Sequence, residues 1–579
     1  MGRSLIYLTA QPDEKYFIWQ LKIQLYNFNE LGIGKKYIQV LIGVKNGSKL
    51  KKSTSEFCEL YKNFANFYFY HYSVDPRITY TSNIRPQILF QHFKEHTYLE
   101  NAAIFYCDSD VILRKVIPKV LATDDKIYVS NTSNYLDSKY FINKTSVEFF
   151  SYISSILDID SQNIINNDKN CGGAQYILKN IKADFWLSIE KDSQIIFSEL
   201  NNYNNLEAYK RGCMPSEYSG IQSWCADMWS VFWNLLKLDY KVSISKEMDF
   251  CWANDNESRY NQTRILHYTG SQNDEYIFKK SKFLKYEPFY NLFIDKSNLS
   301  FCSKIIVDYI DKVRIDLLER NRIDLTNTSF LIPIRIDSQS RLDNLIATVT
   351  YLSKFFNTEI IIIENDSIQK IPKELIEKHN ICYEFENNSG IFNRAKINNK
   401  LIKKSLREII ALYDADVIFP VHQIVEAINM ITEEDYDCSF PFDGRFLDID
   451  PLHKRIFSKV LDPALFFYNE HFFKLAGERS VGGAIFLKRL EYIKAGSDNL
   501  RISTWGPDDK ERVKRLQILD LKIGRVKGCL YHLPHERLNS NYINRDLEIS
   551  YRKEYLKISS MSKQELLNYI GYDAAFNLN

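Results

Sequence analysis

Two acidic pairs carry the clearest chemistry in this sequence. Asp108-Ser109-Asp110 follows the apolar run AAIFYC, and Asp414-Ala415-Asp416 follows IIALY. Carboxylates at i and i+2 on a strand-to-loop turn can face one divalent cation together, and a diphosphate needs such a cation to neutralise its charge. The bare spacing is common in an Asp-rich chain, and Asp158/Asp160, Asp435/Asp437 and Asp448/Asp450 share it. The preceding apolar strand and a tyrosine close before the first Asp set the two favoured pairs apart. In open α/β sheets ligands bind beyond the carboxyl ends of the strands, which is where Asp108, Asp110, Asp414 and Asp416 are expected.

The elements that must position these pairs occur twice. The first half opens with the strand-like LIYLTA, a helical IWQLKIQLYNFNEL and a second strand KYIQVLIGV; the second half repeats the plan with SFLIPIRI, LDNLIATVTYLSKFF and TEIIIIEND. A chain of 579 residues exceeds what one core usually supports. Two α/β domains are therefore expected, residues 1–320 and 321–579, with the boundary near Arg320 inside a polar, helix-prone stretch that runs from about Asp295 to Thr328.

Composition narrows the function classes. Lys and Arg number 75 against 73 Asp and Glu, which gives no electrostatic footprint for nucleic acid. The 38 Tyr and 37 Phe suit stacking on sugars, but a coding bias toward Tyr, Phe, Ile, Asn and Lys would give the same load. Ten cysteines without a C-x-x-C pair indicate neither a zinc site nor a disulfide framework, and fit a reducing compartment. No signal-like or membrane-spanning run is read, so the expected location is cytoplasmic, with peripheral attachment at the inner face of a membrane left open.

Three further segments of the second half, GIFNRAKINNKLIKKS, SVGGAIFLKRLEYIKAGS and STWGPDDKERVKRLQILDLKIGRV, flank Asp414 and Asp416 in a fixed order. Together they resemble the β-1,4-galactosyltransferase family and its bacterial relatives, including the transferase halves of chondroitin-polymerising enzymes. The resemblance implies a nucleotide-diphospho-sugar transferase (GT-A, Rossmann-like) fold, a UDP-sugar donor, and manganese or magnesium. It implies that Phe392 and Arg394 hold the uridine, the ring by stacking and the guanidinium by planar hydrogen bonding. Arg335 and Asp337 would lie beside the nucleotide, although the family has an arginine about where Asp337 stands. Gly482 and Gly483 would let the backbone approach the donor sugar. Trp505 would offer a flat face to the acceptor sugar, and Asp508 and Asp509 would supply carboxylates at the reaction centre, with Asp509 the base and inversion the outcome. Asp414 would sit beside the donor and Asp416 on the metal, whose site the family closes with a histidine; His532 and His535 are both candidates.

The first half offers similar groups in the same order: NCGGAQYIL, IQSWCADMWSVFWNLLKLDY and a late ILHYTG. Gly172 and Gly173 are candidates to line a donor sugar, Asp227 to face the acceptor, and His267 to close a metal site with Asp110. The D-M-W and ILHYTG islands loosely resemble plant hydroxyproline arabinosyltransferase and peptidyl-serine galactosyltransferase chains.

The expectation is a bifunctional glycosyltransferase with one metal per domain. It would act on nucleotide-sugar donors and a glycan or glycolipid acceptor in surface polysaccharide or glycoconjugate synthesis. The alternative is a single active site, with the N-terminal domain a non-catalytic binding or scaffolding module.

Overall fold

A computed structural model describes residues 3–73, 80–269, 276–284, 287–290, 294–320, 322–504, 506–536 and 545–572. The chain divides into two compact units, Met1–Pro288 with Asp295–Val313, and Phe289–Ile294 with Arg314–Asn579.

The N-terminal unit is built on a seven-stranded sheet. Its strands lie side by side as Asn66–Tyr72, Ile38–Lys45, Leu5–Pro12, Ala103–Cys107, Gly172–Lys179, Ile127–Asn131 and Val242–Ile244. The C-terminal unit repeats this with Cys382–Asn387, Phe356–Asp366, Ile323–Ile334, Ile409–Tyr413, Ala484–Lys488, Cys438–Phe440 and Ile523–Arg525. Numbered by chain order within its own sheet, each reads 3-2-1-4-6-5-7 across. Strand directions agree as well: the first four strands are parallel, the sixth runs antiparallel to its neighbours, and the fifth and seventh are parallel. Both units are Rossmann-like α/β layers.

The apolar runs read from the sequence explain the central strands. Leu5–Pro12 and Ile409–Tyr413 are buried along their whole length, as strands covered on both faces must be. The expected helices also form, as Lys15–Glu30 and Gln339–Phe355; the Ser338 side chain caps the second by accepting from the Arg341 N–H.

Each unit adds a small sheet at the end where the acidic pair emerges. In the first, Val111–Leu113 pairs antiparallel with Ile265–His267, which runs parallel to Phe250–Trp252. In the second, Val417–Ile418 pairs antiparallel with Leu530–His532, which runs parallel to Phe446–Asp448. These ladders bring a distant histidine back to the acidic turn.

Candidate active sites

In the C-terminal unit the ladder sets His532 opposite Val417, the residue after Asp416, and the Leu533 N–H donates to the Asp416 carbonyl. His535, three residues on, also turns inward. Its Nε2 lies 3.2 Å from Asp416 Oδ2, and Nε2 of His532 lies 3.9 Å from the same oxygen. One ligand atom from each of Asp416, His532 and His535 lies within 4.8 Å of the others. Both candidate histidines therefore converge on one carboxylate. A carboxylate and two imidazoles suit manganese better than magnesium, which prefers oxygen ligands. Burial works to raise Asp416, but the His535 hydrogen bond and the charges of both histidines outweigh it and hold the carboxyl down at about 2. Nδ1 of His532 is bonded to Asp448 Oδ1 at 2.8 Å. Asp448 belongs to an acidic pair set aside in the sequence because no apolar strand leads into it; its part depends on the parallel pairing of Phe446–Asp448 with Leu530–His532, which spacing does not reveal.

The other edge of this site is a carboxylate cluster. Asp508 and Asp509 open the helix Asp508–Ile518. Arg394, at the start of the helix Arg394–Lys404, donates to Asp414 Oδ1 at 2.6 Å and stands 3.5 Å from Asp508 and 3.6 Å from Asp509. Its guanidinium thus bridges the first aspartate of the acidic pair to Asp508 and Asp509. Burial, helped by the neighbouring Asp509, pushes Asp508 up to about 7 against the pull of Arg394 and Arg512; burial also pushes Asp414 up to about 6. Beneath them lies Asp498, which sequence reasoning missed. It accepts from Asn398 at 2.7 Å and from Arg512 at 3.0 Å, while Arg512 donates to Asp509 at 2.6 Å. Asp498 is buried and so ties the helix of Arg394 to the helix of Asp509.

Arg335 and Phe392 lie together, the guanidinium 5.6 Å from the ring centre. The arginine N–H groups donate to the carbonyls of Asn365, Asn388 and Gly390, so this side chain shapes the wall of the site through the backbone. Asp337 pairs with Arg341 at 3.0 Å. Arg341 also lowers Asp416 electrostatically. An added Cβ on Gly482 would stand 2.6 Å from Asp509 Oδ2, and Gly483 has φ +94° with its missing Cβ facing Leu530. Both glycines are required by close approach. Trp505 lies outside the described residues.

The N-terminal unit holds the same plan with different detail. His267 sits opposite Val111, the residue after Asp110, and the Tyr268 N–H donates to the Asp110 carbonyl, so His267 is the counterpart of His532. Its Nε2 is buried, without a hydrogen-bond partner among the described residues, 3.2 Å from Asp110 Oδ1 and 4.0 Å from Asp108 Oδ2. Nδ1 is bonded to Gln175 at 2.9 Å, which leaves Nε2 aimed at the carboxylates. An unsatisfied buried nitrogen beside two carboxylates fits a divalent cation. Arg85, missed in the sequence, stands 2.8 Å from Asp108 and 3.8 Å from Asp227, as Arg394 does between Asp414 and Asp508. The available signal was an arginine at a helix start ahead of each acidic pair, in SNIRPQI and FNRAKI. Burial and Asp108 raise Asp227 above the ordinary carboxylate range against the pull of Arg85. Lys280, whose buried ammonium is paired with Asp110, has no counterpart on Asp416 among the described residues.

The glycine motifs do not align as their letters suggest. Gln175 pairs with Cys107, before Asp108, as Ala484 pairs with Tyr413, before Asp414. Ala174, at φ +66°, is therefore the counterpart of Gly483, and Gly173 that of Gly482. Gly172 lies in the ladder opposite Asn131, where its missing Cβ faces the Ser130 carbonyl. The cavity beside Asp108, Arg85, Asp227 and His267 is lined by Ala174, with Trp224 and Trp252 as aromatic walls. Gly173 faces the Tyr176 hydroxyl and the Met228 methyl, where Gly482 faces Asp509.

No family model and no curated protein matches this chain. Among solved structures, GalNAc-T7 with UDP, GalNAc and manganese is similar at 13% identity and a TM-score of 0.29, over 43% of this chain and 52% of that one. A Drosophila β-1,4-galactosyltransferase 7 variant with manganese, UDP-Gal and xylobiose is similar at 13% identity and TM-score 0.26, over 39% and 79%. A Pyrobaculum calidifontis mannosyltransferase with GDP-Man and manganese is similar at 12% and 0.27, over 42% and 70%. This chain spans about half the length of the GalNAc-T7 structure.

Proposed function

We propose that the chain is a metal-dependent glycosyltransferase with a GT-A-type site in each unit, the C-terminal one inverting and using a UDP-sugar. The observation that carries this reading is the C-terminal juxtaposition of the Asp416, His532 and His535 cluster with the Asp508 and Asp509 pair, joined through Asp414 and Arg394. Asp416, His532 and His535 would hold manganese, which when bound supplies positive charge for the departing diphosphate. Arg394 holds Asp414 at the donor side, and Asp509, fixed by Arg512, takes the proton of an acceptor hydroxyl. That oxygen bonds to the anomeric carbon as the bond from that carbon to the diphosphate oxygen breaks. Asp508, poised near neutrality, is the alternative base. Gly482 leaves room for the sugar next to Asp509.

In the N-terminal unit Asp108, Asp110 and His267 would hold the second metal, with Asp227 facing the acceptor beside Trp224. A specific observation favours the second reading, a non-catalytic N-terminal module: Lys280 already pairs with Asp110, and Met228 packs at Gly173 where Asp509 packs at Gly482.

The test is a manganese-dependent hydrolysis screen across sugar nucleotides with Asp110→Ala and Asp416→Ala made separately. Two donors, each lost with a different variant, support two transferases; one donor, lost only with Asp416→Ala, supports the module. No hydrolysis of any sugar nucleotide by the wild type, with or without acceptor glycans, overturns both.

A further inference from the structure

The C-terminal unit carries an apolar surface that its catalytic groups do not use. The helix Pro451–Val460 is capped by Asp450, and Phe457 anchors it inward against Phe466 at 4.8 Å between ring centres. Lys454 also points inward, its ammonium donating to Ser340 Oγ at 2.7 Å and the Pro534 carbonyl at 3.0 Å. With that face fixed, Leu452, Ile456 and Val460, one turn apart, are left outward at 52%, 37% and 49% exposure. The strip continues through Phe467, Tyr468, Phe472 and Leu475, all exposed. Phe472 stacks on His453 of the helix with ring centres 6.3 Å apart, which makes the helix and the following segment one surface.

Charge decides what this surface fits. From Pro451 to Gly477 every exposed charged side chain is a cation: Arg455, Lys459 and Lys474. The two acids of this stretch, Asp462 and Glu470, are half-buried, and Glu470 accepts from the Tyr531 hydroxyl at 2.6 Å. Carboxylates stand only at its ends and edge, at Asp450, Asp343 and Glu478; an amphipathic helix with a large apolar side among such cations has the make-up of a segment that lies in a bilayer interface among anionic headgroups.

We propose that this strip seats the chain on an anionic lipid surface, with Leu452, Ile456, Val460 and Phe472 entering the interface and Arg455, Lys459 and Lys474 at headgroup level. The bond from Lys454 to Pro534, between His532 and His535, puts the strip beside the histidine edge of the C-terminal site. On the transferase reading, that edge would then meet an acceptor carried by lipid. Lipid binding itself does not depend on that reading.

The test is flotation of the full chain with vesicles of phosphatidylcholine alone or mixed with phosphatidylglycerol. Wild type is expected to float with the anionic vesicles only, and to be released by salt. Leu452→Asp with Phe472→Asp, and separately Arg455→Glu with Lys459→Glu, are expected to reduce the bound fraction at least tenfold with unchanged circular dichroism and melting. Failure of the wild type to float, or equal flotation of both variants, overturns the proposal. So does a wild-type dimer that both variants convert to monomer without vesicle binding, because the strip is then a self-association face.

Discussion

Asp448 holds Nδ1 of His532 at 2.8 Å, so that Nε2 of the same ring is the nitrogen presented to Asp416. A carboxylate behind a metal-binding imidazole fixes its tautomer and orientation, and its loss typically weakens metal binding about 10- to 100-fold. Asp448→Ala is therefore expected to weaken manganese binding at the C-terminal site by that amount, read by manganese electron paramagnetic resonance. Unchanged affinity would remove Asp448 from the site.

The raised Asp508 gives two opposite pH trends. A carboxyl whose folded pKa is raised binds more protons folded than unfolded. Its stabilising contribution is complete below the ordinary carboxylate range and is lost as pH rises through about 7. Asp508→Asn should then make the chain more stable above pH 7, by a few kcal/mol at about 1.4 kcal/mol per tenfold change in proton affinity. Transfer by the C-terminal site should instead rise through the same pH window if Asp508 must ionise, and lose that limb in Asp508→Asn. Melting curves and kcat/KM profiles across the window read both; a wild-type melting temperature unaffected by the substitution at high pH contradicts the burial argument.

Lys280 is paired with Asp110, so a divalent cation bound there would have to compete with its ammonium. Lys280→Met should tighten manganese at the N-terminal site about tenfold, corresponding to about 1.4 kcal/mol. The binding is best followed in an Asp416→Ala background, where the C-terminal site is silent. Weaker manganese binding in the methionine variant would mean that the ammonium supports the cation site instead of occupying it.

Gly482→Ala places a methyl group 2.6 Å from the unmodified position of Asp509 Oδ2, so the carboxylate must move. A shift of about 1 Å in a reacting group can lower turnover about a hundredfold. Turnover should fall by that order while manganese affinity, set on the other edge, stays the same. A parallel loss of both would show that the substitution disturbs the whole sheet end.

The sequence carried the repeated β-α-β openings because buried parallel strands leave unbroken apolar runs such as IIIIE and AIFYC. The two acidic pairs and the histidines were legible from their place after such runs. Asp448, Asp498, Arg85 and Lys280 were not, because each joins the site through a contact between segments far apart in the chain. The glycine motifs misled for a related reason. CGGA and VGGA match by letter, yet strand register sets Ala174, not Gly173, at the position of Gly483. Letters align residues along one chain, whereas register aligns them by hydrogen bonds to another strand.

Asp498 has a mechanical consequence. Through Asn398 and Arg512 it clamps the helix that brings Arg394 and the helix that brings Asp509 to one buried anion. Neither helix can slide without stretching a charge-assisted bond in a dry interior. The span between Arg394 and Asp509 is thus a fixed gauge. On the transferase reading, variation in the sugar accepted would come from side chains around that gauge, and not from widening or narrowing it.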